Sequence, residues 1–144
     1  MPETLVVDCS VAAKWVLHET DRPQALRLLQ QEKTGEVSLI SPDLLLTEFA
    51  SLLAKRTRRK QMSLSEAQDA FRLLEDSAPV LFETLPLLEP ALNLALQNHM
   101  SLWDCVYLAL AIDQNCAFIT ADRRLFRGHS LPQPAIRLLN SSDH

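Results

Sequence analysis

The sequence predicts an α/β fold: a central parallel sheet of four to five strands with helices on both faces. Two observations carry this. Short apolar runs near residues 5–7, 37–40, 80–84 and 116–120 alternate with longer stretches of helical periodicity. The runs are also continuous rather than alternating, as expected for strands buried on both faces. At 144 residues, the chain is long enough for one domain over 1–144 that buries roughly two-thirds of its unfolded surface.

The first strand, Leu5-Val6-Val7, runs into Asp8, Cys9 and Ser10, after which Val11, Trp15 and Leu17 begin a helical pattern. Asp21 is placed to cap a helix through about Lys33, with Pro23 near its start and Leu26, Leu28 and Leu29 toward the core. Gly35 ends it in the left-handed position that glycine accepts freely. After the second strand at 37–40, Ser41-Pro42-Asp43 opens a long helix in which Leu45, Leu46, Phe49, Leu52 and Leu53 recur at helical spacing.

Ser63-Leu64-Ser65-Glu66 reads as a capping box, starting a helix with Ala67, Ala70, Phe71 and Leu74 on its apolar side. A third strand follows at 80–84, then a helix with Pro90 near its start, carrying Leu92, Leu94, Ala95 and Leu96 and ending near His99. Ser101 caps an apolar helix over 103–114, with Asp104 in its first turn. The fourth strand, 116–120, ends at Thr120-Ala121-Asp122. A short basic helix, Gly128, a last edge strand at 136–139 and a polar tail from about 140 complete the chain.

Composition removes several function classes. The two glycines, Gly35 and Gly128, are too few for a phosphate cradle or dinucleotide fingerprint. Cys9, Cys105 and Cys116 lie in apolar segments without disulfide-like spacing, the pattern of buried thiols in a reducing compartment. The start lacks a basic, apolar leader, and the apolar run at 105–112 is too short for a bilayer, so a cytoplasmic protein with no membrane partner is expected. Net charge is −4, yet Lys55, Arg56, Arg58, Arg59 and Lys60 crowd one stretch and Arg123, Arg124 and Arg127 another. Bases segregated in this way can meet a phosphate backbone on an acidic protein. His18, His99, His129 and His144 share no metal-ligand spacing and receive no role, and Trp15 and Trp103 are expected in the core.

Asp8 and Asp122 each follow an apolar strand, with hydroxyls two positions away at Ser10 and Thr120. Asp104 starts a helix, and Glu48 lies inside another among apolar neighbours. Strand ends and helix starts share one edge of a doubly wound sheet, so these acids can meet in one cleft. Carboxylates about 5 Å apart at an effective dielectric near 20 repel by on the order of 3 kcal/mol per pair. Protonation or a cation must relieve this, and an all-oxygen site suits Mg²⁺ or Mn²⁺ better than zinc. A phosphodiester above such an ion is a nuclease substrate.

The segments Val6-Val7-Asp8-Cys9-Ser10, Glu48 in the helix after the second strand, Trp103-Asp104-Cys105-Val106-Tyr107-Leu108-Ala109-Leu110-Ala111 and Ile119-Thr120-Ala121-Asp122-Arg123-Arg124-Leu125 resemble the PIN domain. More narrowly, the chain resembles the VapC-like toxins of bacterial and archaeal toxin–antitoxin pairs. The resemblance implies a metal-dependent ribonuclease using Asp8, Glu48, Asp104 and Asp122, with Ser10 and Thr120 supporting the metal shell. It also implies an RNA substrate, a homodimer and a cognate antitoxin. The family often has Asn where this chain has Ser51, and some members carry a further acid where it has Arg124.

Two other classes stand beside this one. A catalytically degenerate binding module of the same fold would keep the shape without metal chemistry. A receiver or phosphatase-like protein would use Asp8 for phosphoryl transfer, although Ser10 stands where the phosphatase pattern wants a second acid.

Overall fold

The computed structural model describes residues 1–128, 131–132 and 134–140. His129, His144 and the tail beyond 140 lie outside them. Strands β1 (Glu3–Val7), β2 (Val37–Pro42), β3 (Val80–Phe82), β4 (Ala117–Thr120) and β5 (Ile136–Leu138) form a sheet in the order β3-β2-β1-β4-β5. Every adjacent pair is parallel, with Leu5 opposite both Leu39 and Ala117. The chain builds outward from β1 through β2 to β3, then crosses back to lay β4 on the other side of β1. The order therefore reverses between β1 and β4, and a crevice opens at their carboxyl ends.

Alternation along the central strands divides the core into two layers. Leu5, Val7, Leu39 and Ile119 pack beneath helices α1 (Cys9–Val16), α2 (Arg22–Lys33), α3 (Leu44–Arg58) and α4 (Leu64–Ser77). Val6, Ile40 and Phe118 pack on the opposite face beneath α5 (Leu88–Asn98), α6 (Leu102–Asp113) and α7 (Arg123–Gly128). Both faces are covered, which explains the continuous apolar runs Leu5-Val6-Val7 and Ala117-Phe118-Ile119 in the central strands β1 and β4. No helix is long and apolar enough to cross a membrane among the described residues.

Local signals hold in part. The capping box forms: Glu66 N–H donates to Ser63 Oγ and Ser63 N–H to Glu66 Oε1. Asp21 stands before α2 but makes no side-chain cap; its backbone is left-handed, with φ 66°. Asp43 precedes α3 without capping it. Instead Thr84 closes that end: its hydroxyl donates to Asp43 Oδ1 at 2.6 Å and accepts from Leu44 N–H at 3.0 Å. β3 ends at Phe82, two residues before the expected limit, and a 3-10 turn at Leu85–Leu87 leads into α5. Pro90 falls in the first turn of α5, near the helix start as expected.

Some side chains expected inside lie outside. Leu26 is exposed and Trp103 is 58% exposed, where core positions were anticipated; Leu92 and Leu96 of α5 are exposed as well. Trp15 is buried as expected, its indole N–H donating to the Ala25 carbonyl at 2.9 Å. Of the thiols, Cys105 is buried, while Cys9 and Cys116 are half-buried; none is paired in a disulfide.

Candidate active site

Asp8 sits where β1 gives way to α1 and is 7% exposed. Its Oδ1 accepts from the Ser10 hydroxyl at 2.6 Å and from Val11 N–H at 3.2 Å, and its Oδ2 accepts from the Thr120 hydroxyl at 2.6 Å. Ser10 Oγ in turn accepts from Ala121 N–H at 2.9 Å, and Thr120 Oγ1 from Asp122 N–H at 3.1 Å. These bonds stitch the end of β1 to the end of β4. Each carboxylate oxygen has two lone pairs, so Oδ2 keeps one acceptor position unused.

Burial pushes the Asp8 carboxyl up to about 6, against the Ser10, Thr120 and Val11 bonds that favour its charge; the negative charge of Asp104 adds to the rise. Burial also raises Glu48 and Asp104, with Asp104 acting on Glu48 and Asp122 acting on Asp104. Asp104 is thus the hub through which the acids feel one another. No Lys, Arg or His forms an ion pair with any of them among the described residues.

Glu48 lies on α3, half-buried, and its Oε1 accepts from the Tyr107 hydroxyl at 2.5 Å. Asp104 is in the first turn of α6, behind the Ser101 cap. Asp122 Oδ1 caps α7 by accepting from Arg124 N–H at 2.9 Å and Leu125 N–H at 3.3 Å. Two hollows open near the start of α6, one lined by Asp104 and the other by its neighbour Trp103. One, of about 300 Å³, is lined by Asp104, Asp122, Arg124 and His99 among others. The other, of about 340 Å³, is lined by Leu44, Thr47, Glu48, Ser51 and Trp103.

The four acids lie near one another: Asp104 acts electrostatically on Asp8 and on Glu48, and Asp122 acts on Asp104. Among the described residues, no three acidic, histidine or cysteine side chains converge as a ready metal cage. The donor chemistry nevertheless fits a hard divalent cation: the groups are oxygens, with a buried carboxylate that receives only hydroxyls and an amide.

The model of the PIN domain family matches residues 5–129. The chain belongs to the PIN domain family. This PIN domain is 30% identical over 121 residues to the VapC ribonuclease Mb0985 of Mycobacterium bovis, covering 84% of this chain and 87% of that one. Its fold matches that of PAE2754 from Pyrobaculum aerophilum with a TM-score of 0.66 and 18% identity, over 90% of this chain and 89% of the other. The VapBC2 structure from Rickettsia felis, bound to a DNA fragment from its promoter, matches with a TM-score of 0.64 and 12% identity, over 94% and 98% of the chains.

Beyond the acids, the candidate site holds residues to which the sequence reading gave no role. Tyr107 was one apolar-looking member of an apolar helix, and only the α3–α6 packing shows that its hydroxyl meets Glu48. His99, assigned no role, lines the hollow with Asp104 and Asp122. Of the first basic cluster, Arg56 is ion-paired with Glu19, which also holds Lys14 at 3.6 Å; Lys55, Arg58 and Arg59 are exposed.

Proposed function

We propose that this PIN domain is a Mg²⁺- or Mn²⁺-dependent endoribonuclease that cuts single-stranded or loop RNA, the homodimeric toxin of a cytoplasmic toxin–antitoxin pair restrained by its cognate antitoxin. The observation that carries this reading is Asp8: a buried acid, oriented by two strands and coupled to Asp104, with no ion-pair partner among the described residues. A carboxylate held in that way is costly to the fold unless it serves a ligand.

Asp8, Asp104 and Asp122 would hold the ion, with Glu48 beside them. When bound, a divalent ion there supplies an activated water and offsets charge on the phosphodiester. Ser10 and Thr120 keep the unused Oδ2 lone pair of Asp8 turned in a fixed direction. Tyr107 holds the Glu48 carboxylate, a group placed to accept a proton from a water. Arg124 lines the hollow with Asp104 and Asp122 and has no ion-pair partner among the described residues, so its guanidinium would meet a phosphate oxygen.

Water rather than an internal 2′-hydroxyl is the attacking group in this scheme. A single-stranded substrate with one 2′-deoxy nucleotide at the cleavage position should still be cut, giving 5′-phosphate products. Loss of cleavage on that substrate, with the all-RNA version cut, would exclude the mechanism. Growth arrest on expression, relieved by Asp8→Asn, tests the toxin role.

A further inference from the structure

Trp103 is half out of the protein, immediately before Asp104 and on the rim of the hollow that Glu48 lines. An indole in solvent forgoes a large burial gain, and the other tryptophan, Trp15, is inside. The floor beneath Trp103 is polar as well as apolar. Thr47 and Ser51 stand one turn apart on α3, and neither hydroxyl has a hydrogen-bond partner within the described residues. One turn further along the same face comes Lys55, exposed and without an ion-pair partner among the described residues. On the other side of Asp104, Arg124 lines the second hollow.

We propose that Trp103, with Leu44, Thr47 and Ser51, forms a subsite for one unstacked nucleobase of single-stranded RNA next to the scissile phosphate; this rests on the ribonuclease reading above. The indole supplies a stacking face, the apolar side of Leu44 closes the hollow, and the two hydroxyls face a base edge. Lys55 and Arg124 lie to either side, where the backbone phosphates of a strand crossing Asp104 would run. A row of free hydroxyls leading to a lysine fits a nucleotide better than the apolar face of a protein partner. A base inside a duplex cannot reach the indole, so the subsite selects single strands.

The test uses the whole chain, a chelator to prevent cleavage, and a short single-stranded RNA of mixed sequence. Binding is read by quenching of tryptophan fluorescence, with a duplex of the same sequence as control. The single strand should quench and the duplex should not. Trp103→Ala should remove the quench and weaken binding, measured by anisotropy of a labelled RNA, by between about 5- and 150-fold, the span of aromatic–base stacking. Trp103→Phe should recover most of the affinity, and Mn²⁺ binding should be the same in all three proteins. If Trp103→Ala binds and cuts single-stranded RNA as the parent does, the subsite is wrong while the ribonuclease reading stands. If RNA leaves the fluorescence unchanged but raising the protein concentration shifts it to the blue, the indole faces a second copy instead. A parent protein that cuts no RNA in Mg²⁺ or Mn²⁺ removes the ribonuclease reading itself.

Discussion

The Tyr107 hydroxyl donates to Glu48 Oε1 across 2.5 Å, tying α6 to α3 directly above the sheet edge. The ring is fixed by a parallel stack on Phe118, with centroids 5.9 Å apart and an interplanar angle of 7°. Glu48 is raised by burial and by Asp104, and the tyrosine bond opposes that rise. A buried ring that is anchored below and bonded above fixes where the carboxylate points.

Tyr107→Phe should therefore keep the stack and the fold while freeing Glu48. Groups that orient the acids around a metal typically change activity or metal affinity by about 10- to 100-fold. We expect a fall of that order in cleavage rate, with a melting temperature within a few degrees of the parent. In a Glu48→Gln background the same change should add nothing further. Equal losses in both backgrounds would show that Tyr107 does not act through Glu48.

Asp8 gives a prediction about stability whose sign follows from its environment. Its carboxyl lies at about 6 in the fold against an ordinary 3.8, mainly through burial. Between those values the folded state binds the proton more tightly than the unfolded chain does. This stabilises the metal-free fold at low pH, and the stabilisation is lost as pH rises from about 4 to about 6. The full shift corresponds to on the order of 3 kcal/mol at neutral pH.

Asp8→Asn removes that cost without breaking the network. The amide oxygen can accept from Ser10 and Val11, and the amide N–H can donate to a rotated Thr120 hydroxyl. Cleavage should be abolished, yet urea unfolding of the metal-free variant at pH 7.5 should show it more stable than the parent. The gap should close near pH 4. Added Mg²⁺ should stabilise the parent and leave the variant unchanged. A variant that is less stable than the parent at pH 7.5 would mean that the hydroxyl bonds outweigh the burial of the charge.

The two halves of this site differed in legibility. Asp8 and Asp122 were visible because a continuous apolar strand announces its own end, and parallel topology sends such ends to one edge. Trp103 was not, because α6 is apolar on all sides. The residue shares a face with Tyr107, one turn away, yet Tyr107 is buried and Trp103 exposed, so the same periodicity gives one ring a core and the other solvent. Asp43 and Thr84 show a second limit. Asp43 resembles a cap in its own segment, yet its carboxylate is claimed by a residue 41 positions later. Propensity describes the local chain, while partners across the fold decide which bond forms.

Glu19 offers a test of which basic residues are structural. It bonds Arg56 Nη2 through Oε2 and approaches Lys14 Nζ at 3.6 Å through Oε1, with all three side chains largely covered. Glu19→Gln leaves two covered cations facing each other without a counter-charge. We expect a loss of about 1–3 kcal/mol in urea unfolding and unchanged cleavage at temperatures where the variant is folded. Unaltered stability would free Arg56 for the RNA surface.

Arg124 and Arg56 then make a matched pair for the salt dependence of RNA binding. Arg124 is exposed on the hollow that holds Asp104 and Asp122, whereas Arg56 is occupied by Glu19. Each phosphate neutralised on a single strand contributes about 0.7 to the slope of log affinity against log salt. Arg124→Ala should lower that slope by about this amount and raise the apparent KM several-fold with little change in kcat. Arg56→Ala should leave the slope unchanged, because its guanidinium already has a carboxylate partner. The reverse pattern would place the RNA backbone along α3 alone and leave the α7 side of the cleft without contact to the substrate.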